Sequence, residues 1–396
     1  MKLHQKLFWL LVFFLPTQLG YHFWPDWAYV LGLRVDYLSP TLYLTDLLVL
    51  AILILWLKNE RPRLKPAFFS LAVLVFLLAN SFLATNSGAA EYKLVKLVEF
   101  GLLGFYVAKN RRSLPLVLQA LSGAVIYSSL IALGQFFKQA SLGSLFWWLG
   151  ERTFSLATPG IAKAVIKGRL LLRAYATFSH PNVLAGFVLV SLILITGSRG
   201  PHRWLKNLAL ILGGFVLVIS FSRSTWFAAL LVFAWRIYCR LAKSKARAGL
   251  FLFTLVAGAA LFYFSQSLSG PEAVKQRFQL IKTAALMIKA HPLAGVGLNN
   301  FVVRLPDFWQ TPQAVRFLQP VHNLFLLAAA ETGLVGLVLF FWFLYLTYKK
   351  LLIMNSELLI VLSSILLLGF FDHYWFTLQQ AQLLFAIILG LGWAKK

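Results

Sequence analysis

The chain has 396 residues, of which 60% are hydrophobic and only 12% charged. No water-soluble core of that length needs so much apolar surface, and a single cysteine, Cys239, excludes an intramolecular disulfide framework. The net charge of +25 would point to nucleic acid in a soluble protein. Here the positive charges cluster in short segments between apolar runs, which assigns them to membrane topology and anionic lipid.

At the N-terminus, Lys2 and Lys6 precede "LFWLLVFFL". No small-residue cleavage site follows, so the stretch reads as an uncleaved first helix rather than a signal peptide. Long uncharged runs then recur, each of a length that suits a transmembrane helix. The expected spans are 7–23, 41–57, 66–83, 93–108, 114–137, 181–197, 204–220, 224–240, 248–265, 322–348, 356–371 and 378–394. The sequence therefore predicts an all-α, polytopic membrane protein of about twelve spans, with residues 1–396 forming one integral membrane domain.

Alternate connections are densely basic: "KNERPRLK" at 58–65, "KNRR" at 109–112, "SRGPHRWLK" at 198–206, "RIYCRLAKSKAR" at 236–247 and "KK" at 349–350. With both basic termini they hold more than half of the 37 Lys and Arg, which places these loops and both termini in the cytoplasm. The other connections face outward, and two are long, 138–180 and 266–321. Any chemistry is expected there.

In the second outer loop, Ser269 and Glu272 match a capping box and Pro271 opens a helix over about 271–290. Val274, Phe278, Ile281, Ala285 and Ile288 form one apolar stripe, expected to pack on the bundle or in the membrane interface. The first outer loop offers Lys163/Lys167 and Arg169/Arg173 at i, i+4 spacing, read as a second basic amphipathic segment at headgroup level.

Polar groups gather at the outer ends of spans. Arg173 precedes "AYATFSHPN", which carries Asn182; Arg223 follows Ser222 in the short turn "SFSRSTW"; Arg277 lies on the outer helix; His322 and Asn323 open the tenth span. Asp372 and His373 sit at the outer end of the eleventh. A membrane-edge arginine otherwise snorkels to lipid phosphate, and a lone histidine there otherwise caps its helix. Three such arginines together suit a diphosphate, because each guanidinium presents fixed donors to its oxygens. A neutral imidazole beside them can take a proton from a hydroxyl. Glu331 lies nine residues past His322, about 13 Å along a helix, too far for a dyad; an internal partner is expected. Gly333 and Gly336 are expected at close helix packing. No outer Asp, Glu and His have metal-ligand spacing, so no metal and no cofactor are expected, and no nucleotide-binding motif is present.

The motifs "RAYATFSHPNVLAGFVLV", "SFSRSTW", "RFQLIKTAALMIKAHPLAGVGLNNF" and "VHNLFLLAAAETGLVGLVLF", in this order over residues 170 to 350, resemble the O-antigen ligase and polymerase superfamily. That resemblance implies a bacterial inner-membrane glycosyltransferase with an extracytoplasmic site and a large outer loop. It implies a donor glycan on undecaprenyl diphosphate, an acceptor hydroxyl such as that of a lipid A core, Arg173, Arg223 and Arg277 on the diphosphate, and His322 serving the acceptor. Polymerisation of glycan repeats and transfer to protein use the same architecture and stay open. A lipid-linked sugar flippase is the competing class; it should show charges along an inner path or internal repeats, and neither is visible. A purely structural scaffold would need none of the ordered motifs.

Overall fold

The computed structural model describes residues 2–60, 62, 68–110, 113–166, 168–197, 203–241, 244–266, 271–309, 317–354 and 356–394. The fold is mainly helical, as expected: α1 (Leu3–Phe13), α2 (Leu44–Glu60), α3 (Phe68–Phe82), α4 (Ser87–Lys109), α5 (Ser113–Lys138), α6 (Pro181–Gly197), α7 (Arg203–Ile219), α8 (Arg223–Arg240), α9 (Ser244–Gln266), α10 (Pro271–Ala290), α11 (Phe301–Phe308), α12 (Leu324–Met354), α13 (Ser356–Gly369), α14 (Tyr374–Thr377) and α15 (Gln379–Trp393). Each expected span overlaps one of these helices. Two described helices, Leu114–Lys138 and Leu324–Ile353, are long and apolar enough to cross a membrane by length and composition.

The main core is a helix bundle. Residues 183–195 of α6 are buried on every side, and so is nearly all of α15, which makes these the inner helices. Around them pack Phe8 and Leu11 of α1, Ile52 and Trp56 of α2, Leu103 and Tyr106 of α4, and Leu121 and Val125 of α5. Where α4 meets α15, a Cβ on Gly390 would lie 2.5 Å from the Gly104 carbonyl oxygen, so only glycine allows the two backbones this approach. Charges inside the bundle are paired: Lys96 of α4 lies 2.6 Å from Asp46 and 3.0 Å from Glu99, as the cost of an isolated intramembrane charge requires.

A second, smaller core caps one end of the bundle, and the sequence pattern did not reveal it. The first helix was expected over 7–23 but ends at Phe13, close before Pro16, whose ring and missing N–H stop a helix. The chain that follows makes two small antiparallel pairs: β1 (Gly20–His22) with β4 (Thr41–Tyr43), and β2 (Tyr29–Val30) with β3 (Leu33–Arg34). Ala28, Val30, Val35 and Leu38 from this segment are buried together with Leu280, Ala284 and Met287 of α10 and Phe301, Val302 and Leu305 of α11.

That contact gives α10 a buried face that the predicted stripe does not include, and leaves the stripe for the membrane interface rather than the bundle. The helix forms over the expected residues, but Val274 and Phe278 of the predicted stripe are 58% and 68% exposed. The face holding Leu280, Ala284 and Met287 is buried instead, because residues 28–38 supply its partner. Ser269, the expected cap, lies outside the described residues.

The segment expected at headgroup level, 163–173, forms a β-hairpin and not a helical segment. Its strands β5 (Lys163–Ile166) and β6 (Arg169–Leu172) pair with Ile166 opposite Arg169. That register leaves a two-residue turn in which Gly168 has φ +77°, a conformation that favours glycine and suits a tight hairpin. Lys167 is outside the described residues.

Gly333 is also reassigned. It breaks α12, with φ +64° and ψ −170°, a backbone region almost confined to glycine.

Candidate active site

The outer-end residues singled out in the sequence converge, because the ends of α6, α8, α12 and α13 open on one side of the bundle. Arg173 leaves β6 and binds two neighbours: its Nε donates to the Ser220 carbonyl at 2.7 Å and its Nη2 to Asn182 Oδ1 at 2.6 Å. Asn182 stands in the first turn of α6, directly after Pro181, a residue suited to a helix start. Its Nδ2 donates in turn to Asp372 Oδ2 at 3.3 Å.

Asp372 is the hub. It lies between α13 and α14, its side chain 9% exposed. Oδ1 accepts the His373 backbone N–H at 2.9 Å and faces His322 Nδ1 at 3.3 Å. Burial alone would raise its pKa. The His322 hydrogen bond and charge, then His373 and Arg277, outweigh that and hold the carboxyl well below the ordinary carboxylate range. An ionised carboxylate only accepts hydrogen bonds. His322 Nδ1 must therefore donate, so in the neutral imidazole the lone pair lies on Nε2.

His373 packs beside His322 with ring centroids 5.2 Å apart, and its Nδ1 meets Thr377 Oγ1 at 2.7 Å. Burial, against the pull of Asp372 and with help from His322 and Arg277, lowers His373 to about 3. Burial and the Arg173 charge lower His180 to about 3 as well. Both rings are neutral at neutral pH.

The cations surround this hub. Arg173 is lowered to about 10, mainly by burial, with Arg223 and Arg277 near enough to repel it further; it remains charged at pH 7. Arg277 also acts on Arg223, Asp372, His180 and His373. Arg173, Arg223, Arg277, His322, Asp372, His373 and Asn182 thus share one electrostatic neighbourhood.

Two of the expected supporting residues serve the backbone. Ser222 is buried and its hydroxyl pairs with Thr225 Oγ1 at 2.9 Å, bracing the turn that presents the Ser220 carbonyl and Arg223. Asn323 caps α12 by accepting the Leu326 N–H at 2.8 Å, and donates to the Phe370 carbonyl at 3.1 Å.

Three neighbours escaped the sequence reading. Tyr37, from the second, smaller core, sets its ring 5.5 Å from His373. Arg152 donates to the Ser179 carbonyl at 2.7 Å and lies over the Tyr175 ring. Lys93 of α4 donates to the Phe376 carbonyl, and its charge reaches both Glu331 and His373. A charge within an apolar run was the available signal for Lys93; Tyr37 carried none.

Glu331 has an electrostatic partner inside the bundle, Lys93 of α4, and a backbone partner as well. Its carboxylate accepts the Phe301 N–H at the start of α11, at 3.3 Å.

One atom from each of His322, Asp372 and His373 lies within 4.8 Å of the others, a spacing that could hold a metal ion. Sequence spacing did not suggest this group, because fifty residues separate its members. The surrounding field is cationic, from Arg173, Arg277 and Lys93, which disfavours a divalent cation and favours an anion.

A family model described as O-antigen ligase matches residues 208–341, and no curated protein matches the chain. The matched segment runs from α7 into α12 and carries Arg223, Arg277 and His322, while Arg173, Asp372 and His373 lie outside it. Over these residues the chain is similar to the O-antigen ligase family, a match that supports the resemblance carried by the sequence motifs.

Proposed function

We propose that this protein transfers a glycan from undecaprenyl diphosphate to an acceptor hydroxyl at the outer face of the cytoplasmic membrane, without a metal and with inversion at the sugar carbon. The observation that carries this reading is the Asp372–His322 pair set within a group of three arginines. Arg173 spends two of its five N–H groups on Ser220 and Asn182, and the rest can serve diphosphate oxygens.

As the bond from sugar C1 to the diphosphate oxygen breaks, its electron pair stays on the leaving diphosphate. Preorganised guanidinium groups stabilise that growing charge more than the ground state. The acceptor oxygen bonds to C1 from the opposite face, and its proton passes to His322 Nε2. Asp372 holds His322 in the tautomer that keeps Nε2 free and stabilises the imidazolium once formed, the same logic as in an Asp–His pair of a hydrolase. The lipid diphosphate is already an activated leaving group, so no nucleotide is required.

The basic loops support a topology of about twelve spans with both termini cytoplasmic. The small outer core and the cluster then lie outside. Lipid A core ligation, with membrane lipids around the site, is the reading we favour; polymerisation of repeat units or transfer to protein would use the same residues.

The test is incubation of the purified protein with undecaprenyl-diphosphate-linked glycan and candidate acceptors. Glycosylated acceptor and undecaprenyl diphosphate should form in equal amounts. Absence of transfer to a lipid, glycan or protein acceptor would reject the proposal.

A further inference from the structure

The break in α12 is closed by another part of the chain. Residues 291–297, which follow α10, fill it completely. The carbonyls left without partners before the break, those of Ala330 and Glu331, accept the N–H groups of Val296 at 2.8 Å and Gly297 at 3.0 Å. The N–H groups left after it, on Leu334 and Val335, donate to the carbonyls of Pro292 at 2.8 Å and Leu293 at 3.3 Å. Three glycines permit the fit. A Cβ on Gly333 would lie 2.2 Å from the Leu293 oxygen, one on Gly295 2.4 Å from the Glu331 carbonyl carbon, and one on Gly297 2.5 Å from Ala84 Cβ.

Two side chains lock the join. Asn80 of α3 is 3% exposed. It donates to the carbonyls of Ala294 at 2.6 Å and Glu331 at 3.3 Å, and accepts the Leu298 N–H at 2.7 Å. The Glu331 carboxylate holds the first N–H of α11. Pulling the loop away would break four hydrogen bonds and leave four backbone groups of α12 unpaired in an apolar setting. The loop, α10 and the outer half of α12 are therefore bound to move as one piece.

That piece carries Arg277 at one end and His322 at the other. We infer that Asn80 and Glu331 are positioning residues: through the filled break they fix the diphosphate-side Arg277 relative to the acceptor-side His322. The inference rests on the transfer reaction proposed above. Arg277 stands about 21 Å along α10 from the join, so a tilt of about 5° there displaces it by about 2 Å. Misplacement of about 1 Å can cost about 10²-fold in rate. Arg173 and Arg223 are not part of this piece and would still hold the carrier.

The experiment uses the full-length protein in proteoliposomes, with kcat for transfer and the Kd of undecaprenyl diphosphate measured for Glu331→Ala, Glu331→Gln and Asn80→Ala. Gln keeps an acceptor oxygen for the Phe301 N–H and loses only the charge. The inference expects kcat to fall about 10- to 100-fold in Glu331→Ala and Asn80→Ala, with Kd within about threefold of the parent, and Glu331→Gln to restore most of the rate. Spin labels at Phe278→Cys and Leu145→Cys in a Cys239→Ser background supply a readout independent of activity. Their distance distribution should shift or broaden in Asn80→Ala. An unchanged distribution overturns the inference, as does a Gln variant as slow as Ala. A parent protein that transfers no glycan would sink the proposed function instead, while the distance measurement still decides whether the join holds α10.

Discussion

Replacing Asp372 by Asn tests the central pair with almost no change of volume. In the structure the carboxylate accepts from His322 Nδ1, from the His373 N–H and from Asn182 Nδ2. His373 N–H and His322 Nδ1 share Oδ1 and Asn182 uses Oδ2, so an Asn either sets its NH₂ against the Asn182 NH₂ or flips and sets it opposite both His322 and the His373 N–H. Opposite His322 it donates where the carboxylate accepted, which favours the tautomer with the proton on Nε2. That nitrogen can no longer receive the acceptor proton. An Asp-to-Asn change of this kind in a hydrolase triad costs about 10⁴-fold, and loss of a general base typically costs about 10²–10⁴-fold. The His322–Asp372 contact of 3.3 Å is long, so we expect the lower part of that range, about 10²–10³-fold in kcat. The assay is the initial rate of glycan transfer by purified protein at saturating donor. The double variant His322→Ala with Asp372→Asn should be no slower than His322→Ala alone, since both remove one function. Transfer by Asp372→Asn at a near-parent rate, with the fold intact, would refute the reasoning.

Chelation, acidity and labelling give three further tests. Transfer should continue in EDTA, because arginines neutralise the leaving diphosphate; loss of activity restored by magnesium or manganese would assign the His322–Asp372–His373 group to a metal instead. Stability in detergent should fall as pH drops below about 6.5, because His180 and His373 are lowered to about 3 and the unfolded chain binds protons that the folded chain refuses. Each histidine contributes a slope of roughly 1.4 kcal/mol per pH unit. His373→Gln should flatten the slope, and a melting temperature that rises on acidification would contradict it. Asp372 acts in the same direction at lower pH: its carboxyl is held below the ordinary carboxylate value, so its contribution begins to be lost only below about pH 4. Cys239 is exposed at the basic end of α8; a membrane-impermeant thiol reagent should spare it in intact spheroplasts and label it after permeabilisation, and labelling from outside would reverse the topology.

What the sequence disclosed was mostly local. Apolar runs marked the helices because burial or lipid demands uninterrupted apolar surface, and Pro271 and Glu272 marked the start of α10. Arg173, Arg223 and His322 stood out because each charge or imidazole adjoined an apolar run. The face that α10 buries was not legible, since Leu280, Ala284 and Met287 are covered by residues 28–38 from a distant part of the chain. Nor was the Asp372–His322 hydrogen bond, which joins the ends of different helices. Gly333 and Gly336 suggested close packing, but only the paired backbone groups reveal a broken helix and its plug. Lys163/Lys167 and Arg169/Arg173 at helical spacing misled, because Gly168 and the alternating aliphatic residues make a hairpin.

The most direct test of the account separates catalysis from carrier recognition at one site. Purified His322→Ala and Arg223→Ala would each be measured for transfer rate and for binding of undecaprenyl diphosphate. The account predicts that His322→Ala loses about 10²–10⁴-fold in rate while binding the carrier like the parent. Arg223→Ala should weaken both, and Arg223→Lys should recover little, lacking the planar fork. Near-parent transfer by folded His322→Ala would contradict the account and leave His322 as a residue at the mouth of its helix with no part in the chemistry.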